Sequence, residues 1–302
     1  MLLSTIPFLL LALLPSAVYA QYPEPRKCDG ECFTHDPAVV KRADGKYFRF
    51  STLDLIGIST ADSLEGPWTR AGSVIQGASI IDMPGNRELW APDVVLIRGL
   101  YYCFYSVSTS SSQISAIGYA TSKTLESGSW EDQGAIFTSN GDSPYNAIDS
   151  NVVNGTDDGE FYIQWGSYWQ NIFQSRVAIN GEYVFKSGNE KQIARRPDAP
   201  HKMEGPFIWR RDNFWYMFLS IGQCCTYDPD NDPIEDIYRI TVCRSSSPDG
   251  PYADKDGRSC TDGGGTLVLA SHDNIYAPGG QGVFHDAEHG DVLYYHYCRF
   301  QI

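Results

Sequence analysis

The sequence predicts an all-β fold, a five-bladed β-propeller, and three observations carry that prediction. Helical periodicity is nearly absent, and short aromatic and β-branched runs alternate with Gly, Asp, Asn and Ser, the pattern of many antiparallel strands. Five of these runs resemble one another. The resemblance returns at intervals of roughly 40 to 60 residues, the spacing of propeller blades built as four-stranded sheets. A β-sandwich with coincidentally similar hairpins is the competing architecture, and the regularity of the repeat favours the propeller.

The five runs, in chain order, are DGKYFRFS from Asp44, GLYYCFYS from Gly99, DGEFYIQWGS from Asp158, RDNFWYMFLS from Arg211 and GDVLYYHY from Gly290. Each opens on turn residues that tolerate positive φ and continues as an aromatic-rich strand. A second strand follows in several cases, as in IGISTADSLEGPW from Ile56, AIGYATSKTLESGSW from Ala116 and IYRITVCRSSSPDGPY from Ile237. Ahead of each run stands a short strand with a distinctive start: THDPAVV (Thr34 to Val40), WAPDVV (Trp90 to Val95), NAIDSNVV (Asn146 to Val153), MEGPFIW (Met203 to Trp209) and APGGQGVF (Ala277 to Phe284). In a propeller these are the innermost strands, lining the axial channel with their first residues at one mouth. Four of the five therefore deliver an acid to that mouth: Asp36, Asp93, Asp149 and Glu204.

Crowded carboxylates repel, and in a partly dry cavity at least one holds its proton. One protonated and one ionised carboxyl are the pair that glycoside hydrolysis needs. Asp93 follows Ala-Pro, where an acid suits backbone amides better than chemistry. A solitary Asp36 or Glu204 would read as a solvated turn residue, and their recurrence at equivalent points of separate repeats is what marks them.

The chain begins MLLSTIPFLLLALLPSAVYA. Its apolar run, broken at Pro15 before small residues, reads as a secretory signal peptide over residues 1–20, although the first residues carry no Lys or Arg. The rival, an N-terminal membrane anchor, would need a span of about 20 apolar residues. No linker or low-complexity tract divides residues 21–302, so one catalytic domain, secreted and monomeric, is expected. A formal charge of -14 argues against nucleic acid or an anionic membrane as partner. Eight cysteines in an exported chain suggest disulfides, with connectivity left open. Zinc is disfavoured because Cys28-x3-Cys32 has no second pair at matching spacing and Cys224 and Cys225 are adjacent. Asn154-Gly155-Thr156 is a glycosylation sequon.

Taken in order, THDPAVV, LWAPDVV, SQISAIGYATS, PYNAIDSNVV, WGSYWQNIFQ, EGPF, CRSSSPDGPYADKDG and APGGQGVF…VLYYHY resemble the family-43 glycoside hydrolases, and within them the secreted endo-arabinanases. The resemblance spans Cys28 to Tyr297. It implies a five-bladed propeller and an inverting endo-hydrolase of α-1,5-linked L-arabinofuranose in the arabinan of pectin. It further implies Asp36 as general base, Glu204 as general acid and Asp149 as the group that raises the pKa of Glu204 and holds it in place. Inversion requires the base and acid to stand roughly 6.5 to 9.5 Å apart to admit water. Trp90 would stack on a sugar, its alternative being a core position under the second blade. His35 and Ser167 would touch substrate. His296 would help hold an axial ion, usually calcium and largely through water, its alternative being a buried, hydrogen-bonded histidine. An exo-acting α-L-arabinofuranosidase or β-xylosidase, or a non-catalytic carbohydrate-binding propeller, are the competing functions.

Three departures from the family pattern stand out. Ser110 to Ser112 occupy a turn that commonly carries an aromatic, and Ser150 follows Asp149 where Pro or Gly is common. Relatives also continue for a further strand or more beyond YYHY, so the last blade is expected to be incomplete, with a bare β-edge and exposed apolar surface.

Overall fold

The computed structural model describes residues 22–155, 159–224 and 237–299. The expected leader, Thr156 of the sequon and Cys225 lie outside them. Among the described residues nineteen strands form five antiparallel sheets, and the helix is a 3-10 turn at Cys260–Asp262. The first sheet runs in chain order through β1 to β4 (Ala38–Lys41, Tyr47–Ser51, Gly57–Ala61, Thr69–Ser73). The second holds β5 to β8 (Trp90–Ile97, Leu100–Val107, Ser115–Ser122, Glu131–Ser139). The third has five strands, β9 to β13 (Asn151–Asn154, Phe161–Trp165, Ile172–Asn180, Tyr183–Lys186, Lys191–Ala194), the last two both pairing with β11. The fourth is β14 to β17 (Met203–Arg211, Phe214–Ile221, Arg239–Ser245, Thr266–Leu269). The last is the hairpin β18–β19 (Ile275–Asp286, Gly290–Arg299).

The first strand of each sheet is its inner one. β1 packs on β5, β5 on β9, β9 on β14, β14 on β18, and β18 back on β1, which closes a propeller-like ring. The strand pattern explains why the aromatic runs do not alternate with polar residues. Side chains along a strand point to opposite faces, and each face here meets a neighbouring sheet. In β6, Tyr101, Cys103, Tyr105 and Val107 join the core shared with the first sheet, while Tyr102 and Phe104 join the core shared with the third. Trp165, fully buried, anchors that second core against Phe137, Tyr145 and Phe173. Such burial of large aromatics dominates core energetics.

The ring is closed between the first sheet and the hairpin by the buried carboxylate of Asp286. It accepts hydrogen bonds from Tyr47 Oη at 2.6 Å and Lys41 Nζ at 3.0 Å. The outer edge of β19 pairs with no strand among the described residues, and Val292, Leu293, Tyr295 and Tyr297 on it are part-exposed. Of the cysteines, Cys28–Cys32 and Cys243–Cys260 are disulfides, Cys224 is disulfide-bonded, and Cys103 and Cys298 are free.

One local feature recurs at the same mouth in every repeat. A residue with left-handed φ interrupts or immediately precedes each inner strand: Asp36 (44°), Ala91 (46°), Asp149 (58°), Gly205 (58°), and Ala277 and Gly280 (51° and 56°). The pairing register shifts around Ala91, Gly205, Ala277 and Gly280. Bulges of this kind bend a strand and re-aim its side chains, and Asp is among the few residues that tolerate the conformation. The kink turns the first side chains of the inner strands into the mouth.

Candidate active site

A cavity of about 870 Å³ opens at that mouth. It is lined by Asp36, Asp93, Asp149 and Glu204 together with His35, Trp90 and Ser167. The sequence-predicted acids from four separate repeats therefore converge on one cleft. His296, buried behind the cleft wall, reaches it through Asp36.

Asp36 is gripped on one side. Its Oδ2 accepts from His35 Nδ1 and from the hydroxyl of Thr52, both at 2.8 Å. Its backbone amide donates to His296 Nδ1 at 3.1 Å. Oδ1 has a longer, 3.4 Å approach to that same nitrogen, so Oδ1 is the less tightly held oxygen and the better placed for a further donor such as water. Burial alone would raise the pKa of Asp36, but the charge of His35 and the contacts of His296 and His35 outweigh it and hold the carboxyl well below the usual range. For His35, burial opposes ionisation and is outweighed by Asp36, first through its charge and then through the hydrogen bond, so its pKa is raised.

Glu204, the second residue of β14, is gripped on both oxygens. Oε2 accepts from the Ser167 hydroxyl at 2.6 Å and Oε1 from the Tyr238 hydroxyl at 2.8 Å. Burial raises its pKa against those two bonds, with the charge of Asp36 adding to the rise. Asp149 is raised well above its ordinary value, by burial first and then by the charges of Glu204 and Asp36. Like charges in one dry site cannot all ionise. The surroundings therefore favour the charged form of Asp36 and the protonated form of the Asp149–Glu204 pair.

A sequence model of Glycosyl hydrolases family 43 matches residues 30–301. The chain belongs to this family. It is 47% identical over 292 residues to the arabinan endo-1,5-alpha-L-arabinosidase A of Aspergillus niger, covering 96% of this chain and 89% of that protein. Among solved structures it resembles the GH43 endo-arabinanase of Bacillus licheniformis, with 30% identity, a TM-score of 0.76, and coverage of 90% of this chain and 96% of that one. It also resembles an exo-1,5-alpha-L-arabinanase from a bovine ruminal metagenomic library, with 30% identity, a TM-score of 0.74, and coverage of 89% and 94%.

The other residues singled out in the sequence stand on or beside the same cavity. Trp90 is part-exposed on the cavity wall rather than buried in the core. Ser167 lines the cavity but is committed to Glu204. Asp93 does what its Ala-Pro context suggested, accepting the Val152 amide at 2.8 Å. Ser110, Ser111 and Ser112 do face the cavity, so this wall lacks an aromatic there, while Tyr168 and Trp169 contribute rings elsewhere on it. Sequence reasoning missed Thr52 and Tyr238. Each stands at a strand end and meets its carboxylate only through the folded ring, so no local motif marks either. Calcium prefers oxygen ligands. The side-chain set nearest His296 that could hold an ion is His35, Cys224 and His296, two imidazoles and a sulfur already in a disulfide, with His296 Nδ1 engaged by the Asp36 amide. Among the described residues, that side-chain donor set does not fit calcium.

Proposed function

We propose that this family-43 chain is an inverting endo-hydrolase of α-1,5-linked L-arabinofuranose chains in arabinan, with Glu204 as general acid, Asp36 as general base and Asp149 as the modulator of the acid. The observation that carries the proposal is one open cleft holding carboxyls of opposite tendency, Asp36 held ionised and Glu204 raised toward its protonated form. Water bonded to Asp36 Oδ1 attacks the anomeric carbon and gives its proton to that carboxylate. The glycosidic C–O bond breaks as Glu204 donates its proton to the leaving oxygen. One displacement inverts the anomeric configuration. Asp149 shares one negative charge with the acid, so the pair resists losing its second proton, and Ser167 keeps the acid aimed. Trp90 offers a flat apolar face to a sugar ring, and His35 orients the base.

The same reading takes β18–β19 as the inner pair of a fifth, incomplete blade and residues 21–302 as one monomeric catalytic domain. Residues 1–20 are its secretory leader, and exposed Asn154 is the glycosylation site of a secreted protein. The closed order of inner strands supports the fifth blade, and the fungal relative's arabinan-cleaving activity supports the catalytic domain. No helix among the described residues is long and apolar enough to cross a membrane.

The test is product analysis on debranched arabinan. Oligosaccharides of mixed length early in the reaction are expected, and proton NMR is expected to show the inverted anomer first. Single sugars from the outset would favour the exo reading, which the ruminal neighbour makes a real alternative on this fold. Glu204→Gln is expected to lower kcat by about 10²-fold or more while oligosaccharide binding by calorimetry persists. A wild type that binds arabinan and never cleaves it would make the chain a binding module.

A further inference from the structure

The fifth inner strand brings no acid to the mouth, yet its APGGQGVF motif lies directly against Asp36 and against Tyr238, which holds Glu204. A side-chain Cβ at Gly279 would stand 1.9 Å from Tyr238 Cε1, and one at Gly280 would stand 2.5 Å from His296 Nδ1 and 2.6 Å from Asp36 Oδ1. These two glycines make room for a stack of three rings. Tyr238 lies on His296 with centroids 6.0 Å apart and an 11° interplanar angle, and His296 lies on His35 at 4.2 Å and 19°. One end of the stack holds Glu204 through the Tyr238 hydroxyl at 2.8 Å. The other end holds the Asp36 carboxylate through His35 Nδ1, and the middle ring, His296, accepts the Asp36 backbone amide at Nδ1. Beneath it, the Ser220 hydroxyl donates to Gln281 at 2.8 Å and accepts the Gly280 amide at 3.0 Å.

We propose that Tyr238 is a positioning residue for the acid, and that the Tyr238–His296–His35 stack, seated on Gly279 and Gly280, fixes the acid relative to the base. The proposal rests on the reading of Glu204 as general acid. Tyr238 is 3% exposed, so its hydroxyl is held by packing and cannot swing away from Glu204. Glu204 is faced by Asp149 from the turn before β9, by Ser167 from the end of β10, by Asp36 and His35 ahead of β1, and by His296 of β19. Among the described residues, Ser167 and Tyr238 donate side-chain hydrogen bonds to it. A donor of this kind favours the carboxylate over the acid, so it trades some proton retention for aim.

The test is the kinetics and pH profile of Tyr238→Phe on debranched arabinan, run beside wild type and Glu204→Gln. The phenyl ring preserves the stack and removes only the hydroxyl. We expect kcat to fall about tenfold with KM within about twofold, and the alkaline limb of kcat/KM to move up by about one pH unit, the scale of a single hydrogen bond to a charged group. Site-specific replacement of Tyr238 by 3-fluorotyrosine, nearly isosteric and a stronger donor, should move the limb down instead. Limbs that coincide with wild type in both variants, while Glu204→Gln is inactive, overturn the role given to Tyr238. If Tyr238→Phe does not fold, the fluorotyrosine profile alone decides. Wild-type turnover in Glu204→Gln would instead remove the acid assignment, a different failure from an unmoved limb.

Discussion

Asp149 and Glu204 lie within reach of each other's charge in a cleft that burial has made costly for both to ionise. Their protons therefore come off as a pair, and the alkaline side of the activity profile reports the pair rather than either residue. Replacing Asp149 by Asn removes the carboxyl with which Glu204 shares a proton and a negative charge, and keeps an acceptor for the Gly205 amide that now bonds its carboxylate. Glu204 should then lose its proton more easily, so the alkaline limb of kcat/KM should shift to lower pH, opposite in sign to Tyr238→Phe. We expect kcat at neutral pH to fall by about 10²-fold, within the range typical of general acid catalysis. A profile displaced upward, or not at all, would contradict the role given to Asp149. The three acids were legible in the sequence because a repeat makes a lone carboxylate conspicuous. Thr52 and Tyr238 were not, because each finds its carboxylate across at least 16 residues of chain, through geometry that only the closed ring supplies.

The hairpins were legible for a similar reason: five aromatic runs with turn residues ahead of them are strong local signals, and β2, β6, β10, β15 and β19 fall on them. The bulges at the mouth were not, since Ala91 and Ala277 give no hint in sequence of a left-handed backbone. Nor was the anchoring of the loop before β11. Fully buried Asn171 donates from its side-chain amide to the carbonyls of His201 at 2.6 Å and Met203 at 3.1 Å, and accepts the Arg196 amide at 2.9 Å. It thereby ties the third sheet to the first residue of β14, immediately before Glu204. Asn171→Ala removes the partner of the His201 carbonyl and the Arg196 amide, while the Met203 carbonyl keeps the Tyr168 amide, and each unmet buried group costs about 1–3 kcal/mol. Allowing for partial repair by water, we expect a loss of about 2–3 kcal/mol, read by calorimetry as a drop in Tm of roughly 5 °C or more. An unchanged Tm would show that the loop is held by other contacts.

At the scale of the ring, adjacent inner strands must be joined without hydrogen-bonded pairing, and Asp93 supplies one such join between the second and third sheets through the Val152 amide. Asp93 and Tyr294 line both the mouth cavity and a second cavity of about 560 Å³ deeper along the axis, so the carboxyl sits at the floor of the cleft. Burial raises its pKa to about 7, against the opposing bonds from Val152 and Asn151. The folded state thus holds a proton that the unfolded chain, with an ordinary carboxyl near 4, has already released. The stabilisation is complete below that unfolded value and is lost progressively as pH rises toward and through about 7. Three pK units correspond to about 4 kcal/mol, an upper figure for one buried group. Carboxylates with lowered pKa, such as Asp36 and Asp286, act in the opposite sense and lose their contribution as pH falls below the ordinary range. The net charge of -14 adds self-repulsion at high pH, but equally in wild type and variant. Asp93→Asn keeps an acceptor for Val152 and removes the titration, so its Tm should fall less between pH 4.5 and 7.5 than that of wild type. Parallel Tm curves would mean that Asp93 stays charged in the folded ring, and that the join at Val152 is an ion–amide bond rather than one made by a carboxylic acid.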